Sequence, residues 1–148
     1  MSRGRPPRRL TVCGERPLRP SRRTVIDSTI AGPNIAVLVP CLDEAATIGD
    51  VVAEFRSALP GCTVYVYDNG STDDTALRAA EAGAVVRSEV VPGKGAVVRR
   101  MFADVDADVY VMADGDGTYD AAQAGQLVKH LCEGDLDMVV GVRTGVTV

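Results

Sequence analysis

The sequence predicts an α/β fold of the Rossmann-like type, a mostly parallel sheet of about five strands with flanking helices. Three observations predict it. Short apolar runs alternate with segments of helical spacing from Ile35 to Val142, and Gly or Pro stands at most of the junctions. Polar, acid-rich clusters follow three of the apolar runs. Parallel sheets built by right-handed crossovers bind their ligands at that end of the strands.

The elements follow in order. Ile35-Ala-Val-Leu-Val39 is a continuous apolar run, as expected of a strand buried on both faces, and Pro40 is expected to end it. Thr47 to Ala58 carries Ile48, Val51, Val52 and Phe55 at helical spacing and stops at Pro60-Gly61. Thr63 to Tyr67 is the second strand, rich in β-branched and aromatic residues. Ser71 or Thr72 can cap a helix to Ala82, with Asp73 and Asp74 in its first turn, and Gly83 closes it. Ala84 to Arg87 is a third strand, Gly95 to Val105 a third helix and Val109 to Ala113 a fourth strand. Asp120 can cap a helix running to Cys132 and closed by Gly134, and Met138 to Val142 is expected to be the fifth strand.

Charge divides the chain. Residues 1–33 hold eight Arg against Glu15 and Asp27, a balance of +6. The rest holds eight basic residues against eighteen acidic ones, a balance of −10. The first segment is also rich in Pro and lacks either periodicity. It is expected to be a disordered basic tail, leaving 34–148 as the folded domain. An acidic body argues against nucleic acid as a partner, because phosphate backbones require a basic footprint. No apolar run approaches the roughly 20 residues that span a bilayer, and no apolar signal-peptide core is present. Cys13, Cys41, Cys62 and Cys132 form neither a CxxC pair nor a Cys/His cluster, which favours a reducing, cytoplasmic setting over a disulfide framework or zinc site.

The chemistry gathers at three strand ends, in Pro40-Cys-Leu-Asp43-Glu44, in Asp68-Asn69-Gly70-Ser71 and in Asp114-Gly115-Asp116-Gly117-Thr118. Carboxylates on neighbouring strand ends repel one another unless a cation joins them. A divalent metal carrying a phosphorylated ligand would do so, since hard cations take carboxylate and phosphate oxygens. Asp114 and Asp116 stand two apart on a glycine-rich turn, which lets both approach one Mg²⁺ or Mn²⁺. Such an ion would stabilise charge on a departing nucleotide.

Five segments, in order, resemble the motifs of family 2 glycosyltransferases of the GT-A fold. Val39-Pro-Cys-Leu-Asp-Glu44 is similar to their V-P-x-x-N-E, and Tyr67-Asp-Asn-Gly-Ser-Thr-Asp-Asp-Thr75 to their D-D-G-S-T-D-x-T. Gly93-Lys-Gly-Ala-Val-Val-Arg99 is similar to G-K-G-x-x-x-R, Ala113-Asp-Gly-Asp116 to the D-x-D, and Gly141-Val-Arg143 to G-S-R. The subgroup most similar is the polyprenyl-phosphate sugar synthases, such as dolichol-phosphate mannose synthase.

The resemblance implies an inverting transfer from a UDP- or GDP-sugar, the donor partner, to an acceptor that in this subgroup is a lipid phosphate. It implies Pro40, Glu44, Asp68 and Asn69 at the nucleoside, and Lys94 and Arg143 offsetting phosphate charge. Asp114, Gly115 and Asp116 would meet the diphosphate, with Asp114 and Asp116 as the catalytic pair and Asp114, Asp116 and Thr118 on the metal side. It also implies a cytoplasmic site of action, at the inner face of a membrane if the acceptor is a lipid. Relative to the family pattern, Asp43 replaces Asn, Leu42 a frequent aromatic, Asn69 the second Asp, Met101 a common Gly and Val142 a Ser. The first three leave the base of the donor open. The pattern continues in the family past Val148, so the chain is expected to be the donor half of a truncated enzyme, with a non-catalytic nucleotide-binding remnant as the alternative.

Two rivals share parts of the pattern. Asp114-Gly-Asp-Gly-Thr118 also resembles the D-x-D-G-T of haloacid-dehalogenase-type phosphatases, but those place it at the first strand, with most of the domain following. A dinucleotide site would need G-x-G-x-x-G after the first strand, where this chain has Pro40-Cys-Leu-Asp-Glu44. Deletion of residues 1–33 is expected to leave the melting temperature unchanged, as measured by circular dichroism; a large drop would contradict the tail assignment.

Overall fold

The computed structural model describes residues 32–142. All but Gly32 and Pro33 of the basic segment, and Arg143 at the other end, lie outside the described residues. The element order is β1 (Ile35–Cys41), α1 (Ile48–Ala58), β2 (Thr63–Asp68), α2 (Thr75–Glu81), β3 (Val85–Ser88), α3 (Lys94–Asp104) and β4 (Val109–Met112). A short 3₁₀ turn (Ala121–Gln123) then leads into α4 (Ala124–Glu133). The four strands form one sheet in the order β3-β2-β1-β4, and every neighbouring pair is parallel.

The continuous apolar run of β1 is explained by its central place. Val37, Val39 and Cys41 point into a core shared with Ile48, Val51, Val52 and Phe55 of α1, Ala79 of α2, and Ala121 and Ala124. Ala36 and Leu38 point the other way, onto Val97 and Met101 of α3 and onto Val105. In β2, Val64 and Val66 join the first core while Tyr65 and Tyr67 join the second. The period-2 alternation therefore loads both faces of the sheet. On the α3 face, Phe102 meets Tyr110 edge to face with ring centroids 5.2 Å apart. Arg87 lies over Tyr65 and Tyr67 and donates to the Tyr67 hydroxyl at 3.1 Å.

Three expectations are corrected. β1 does not end at Pro40 but runs on to Cys41, with Pro40 opposite Tyr67. The Asn34 and Leu38 carbonyls accept from β4-side amides, and the Cys41 carbonyl accepts from Asn69 beyond β2. Strand alternation therefore turns the Pro40 nitrogen toward β4, whose pairing stops at Leu38↔Met112, so no ladder bond is lost. Next, α2 starts at Thr75 with Asp74 at its N-cap rather than Ser71 or Thr72, because the hydroxyl of Ser71 and the carboxylate of Asp73 are engaged by backbone amides of the β1–α1 loop and the Thr72 amide by Asp43.

The third correction concerns the fifth strand. Met138–Val142 forms no strand, so the described sheet has four. The segment lies beside β4, with Gly141 and Val142 sharing a cavity wall with Val111 and Met112. Met138, Val140 and Val142 nevertheless stay 76%, 69% and 79% exposed. An apolar run of five residues carries strand propensity, but propensity expresses itself only with a ladder partner. Replacing Leu38 with Ala, which empties a fully enclosed site between β1 and α3, is expected to lower the unfolding free energy by about 2–5 kcal/mol in urea denaturation.

Candidate functional site

With β1 in the middle, the chain proceeds outward through β2 and β3 and then returns to place β4 on the other side of β1. The switch point therefore lies between β1 and β4, where α/β sheets bind ligands. A cleft of about 330 Å³ opens there, bounded by Pro40, Leu42, Glu44, Asn69, Lys94, Asp114 and Asp116 among others. Its size suits a small ligand.

The β1–α1 loop forms one wall. Asp43 sits at φ 54, a left-handed conformation that Asp and Asn tolerate better than other side-chain-bearing residues. Its carboxylate accepts from the Thr72 amide at 2.7 Å, and its own amide donates to the Ser71 hydroxyl at 2.9 Å. The Glu44 amide donates at 2.8 Å to the hydroxyl of Thr75, which is wholly buried, and Ala45 donates to Asp73 at 3.0 Å. The polar residues after β2 thus fasten this loop in place.

Asn69 borders the cleft, and its amide group organises the loop before α3. It donates to the carbonyls of Glu89 and Val91 at 2.8 and 2.9 Å and accepts from the Gly93 amide at 2.8 Å. That loop delivers Lys94, whose ammonium forms a hydrogen-bonded ion pair with Asp114 across the cleft. The bond to Asp114 raises the Lys94 pKa, so the group stays charged. Asp68, 9% exposed at the end of β2, accepts from the Ser71 amide and does not line the cleft.

The turn after β4 brings Asp114 and Asp116 to the cleft. One oxygen of Asp116 accepts from the Thr118 amide at 3.0 Å and hydroxyl at 2.7 Å. Gly115 is required by space: a Cβ there would stand 2.3 Å from a Glu44 oxygen and 2.6 Å from the Cys41 sulfur. That Glu44 oxygen, Oε2, is buried with no hydrogen-bond partner. Burial pushes the Glu44 carboxyl above its ordinary pKa; Asp116 and Asp114 add to the rise, while the Cys41 thiol and Lys94 oppose it. Burial also pushes the Cys41 thiol far up, which keeps it protonated and inert.

The structure thus brings Pro40, Glu44, Asn69, Lys94, Asp114 and Asp116 together, with Gly115 packed behind. Asp68 and Thr118 stand just outside as neighbours of the lining, and Arg143 is outside the described residues. Sequence reasoning missed Thr75 as an internal hydroxyl tying two loops; a Thr directly after two Asp reads as helix capping. It also missed Thr47 as more than a helix start.

The donor set fits a hard divalent cation. It consists of carboxylate and hydroxyl oxygens beside an orphaned buried carboxylate oxygen. Among the described residues no group of three His, Cys, Asp or Glu is arranged to enclose an ion. Mg²⁺ typically takes only one or two protein carboxylates and fills its shell with phosphate and water, which suits a site of two aspartates. The phosphatase reading is not favoured: its two aspartates stand at the end of the fourth strand, the edge of the sheet, with Asp114 held by Lys94.

Comparison with known proteins agrees with this geometry. The glycosyl transferase family 2 model matches residues 36–148. Protein RfbJ of Shigella flexneri is 54% identical over 110 residues, covering 74% of this chain and 85% of that protein. Glycosyltransferase AglJ of Haloferax volcanii is 41% identical over 74% of this chain and 36% of its own length. A crystal structure of Mycobacterium tuberculosis glucosyl-3-phosphoglycerate synthase with Mn²⁺, UDP-glucose and phosphoglyceric acid superposes with TM-score 0.63 at 34% identity, covering 70% of this chain and 41% of that one. The same enzyme with Mg²⁺ and UDP gives TM-score 0.59 at 33% identity over 68% of this chain and 40% of that one. Apart from RfbJ, the chain thus spans between a third and a half of these relatives.

Glu44 supplies a test. Its folded-state pKa is raised, so the folded state holds the proton more tightly than the unfolded state, and stability falls as pH rises from the ordinary carboxylate range through the raised pKa. Glu44→Gln is expected to flatten that fall and to raise the melting temperature at pH 7.5, read by scanning calorimetry across pH 4–8.

Proposed function

This chain belongs to glycosyl transferase family 2, and from that premise we propose that its switch-point cleft binds a nucleoside diphosphate sugar with Mg²⁺ or Mn²⁺ for transfer of the sugar to an acceptor. The observation that carries the reading is the meeting of Asp114 and Asp116 with Lys94 and Glu44 in one cleft. The M. tuberculosis relative crystallised with Mn²⁺ and UDP-glucose supports uridine as the first base to test.

Asp114 and Asp116 would hold the metal, with Thr118 fixing one oxygen of Asp116 or joining the ion's shell. The ion, when bound, would supply positive charge to the departing diphosphate. Lys94 would exchange part of its contact with Asp114 for a phosphate oxygen, and Arg143 is assigned to the same charge. Pro40, Glu44 and Asn69 would line the nucleoside end, with Asp68 behind them at the end of β2. In the transfer, an acceptor oxygen bonds to the anomeric carbon from the face opposite the diphosphate. The carbon–oxygen bond to the diphosphate breaks, its electron pair leaves with the nucleoside diphosphate, and the centre inverts.

The acceptor we assign is a lipid phosphate of the polyprenyl type, already anionic and able to attack without a protein base. No helix among the described residues is long and apolar enough to cross a membrane; this reading has the protein meet the lipid headgroup at the inner, cytoplasmic face of a membrane. Turnover of a UDP-sugar in the presence of a lipid phosphate separates transfer from donor binding alone.

Calorimetric titration with UDP and GDP, each with and without Mn²⁺, tests the donor site. Metal-dependent binding of one nucleotide is expected, and Asp116→Asn should weaken it more than about tenfold. Loss of an outer-shell partner alone costs a metal site that much. Unchanged affinity in the variant, or no binding by the folded chain, would sink the metal role.

A further inference from the structure

We propose that Thr47 is a positioning residue for the Asp114–Asp116 turn, holding it from the opposite side of the switch point. Thr47 stands at the N-cap of α1, where a Thr hydroxyl ordinarily accepts from an amide of its own helix. Here it makes no such cap bond. The hydroxyl instead donates at 2.7 Å to the carbonyl of Gly115, 68 residues away and between the two aspartates. The Glu44 carbonyl lies farther off, at 3.3 Å. A hydroxyl carries one proton, and the shorter bond claims it.

Two further features bear on the same point. Gly117 has φ +72, and the nearest atoms a Cβ there would meet are Cβ and Cγ2 of Thr47, both at 3.8 Å. Thr47 therefore supports the turn through its hydroxyl at Gly115 and faces it with its methyl at Gly117. Gly115 is also pressed against Glu44 and Cys41, with no room for a Cβ. The turn is thus held toward the start of α1 by packing and by the directional bond from Thr47. Thr118 fixes one oxygen of Asp116 relative to its own turn, and Thr47 ties the middle of that turn to the start of α1.

The proposal rests on the donor-site reading, and the test separates the two. UDP affinity in Mn²⁺, melting temperature and amide hydrogen exchange at residues 116–118 are measured on the full chain and on Thr47→Val, Thr47→Ala and Thr47→Ser. The alanine variant serves if valine does not fold. Valine and alanine are expected to weaken UDP binding roughly two- to tenfold, the range one lost hydrogen bond gives, and to speed exchange of the Thr118 amide. Serine, which keeps the hydroxyl, should restore both.

A lower melting temperature in valine and alanine with wild-type UDP affinity and exchange would reduce Thr47 to a helix-end residue and overturn the proposal while leaving the donor site standing. A folded wild type that binds no nucleotide would instead sink the donor reading. The exchange comparison would then still decide whether Thr47 holds the turn.

Discussion

Carboxylates do not gather without a reason, and the topology of this sheet gathers them. Glu44 follows β1, Asp68 ends β2, and Asp114 and Asp116 follow β4, so three parallel strands deliver acidic groups to the carboxyl end of the sheet. Their repulsion is met in the structure by Lys94, the cationic residue of the cleft lining, which is paired with Asp114. What remains is stored in Glu44, whose oxygen is buried without a partner and whose proton is held more tightly than usual. Such a site is poised for a ligand that brings positive charge on one side and phosphate on the other. The rest of the architecture keeps these groups from moving apart.

That restraint is made of small polar residues rather than bulk. Ser71, Thr72, Asp73 and Thr75 leave the first turn of α2 short and spend their hydrogen bonds on Asp43, Glu44 and Ala45. Asn69 does the same for the loop that carries Lys94. Where Asp replaces the family's Asn at position 43, the left-handed backbone explains why the exchange is tolerated, since both residues accept that conformation. Where Asn replaces Asp at position 69, the structure gives the amide three partners, two of which need its donors.

Much of this was legible in the sequence, for physical reasons that can be named. β1 was legible because burial on both faces leaves only an unbroken apolar run, and α1 because Ile48, Val51, Val52 and Phe55 fall on one stripe. The cleft was legible because the strand-end rule converts a list of acidic motifs into one place. Two kinds of feature escaped. Met138–Val142 has the composition of a strand, but composition cannot supply the partner that makes one. Thr47 and Thr75 look like helix caps, and only three-dimensional proximity shows their hydroxyls directed to distant loops.

The strand order has a consequence for how the molecule assembles. Every neighbouring pair in the sheet is parallel, so each requires a crossover, and the contact between Thr47 and Gly115 closes a loop of 68 residues. Closure of that span is an entropic cost met only once β1 is flanked on both sides. The cleft therefore takes its walls from both sides of β1: the β1–α1–β2 unit brings Pro40, Glu44 and Asn69, and the chain beyond β4 adds Asp114 and Asp116. A ligand held there would stabilise the molecule against global opening, not against the local fraying that serves a lid, and its binding would register as a rise in the cooperativity-limited melting point of the whole domain.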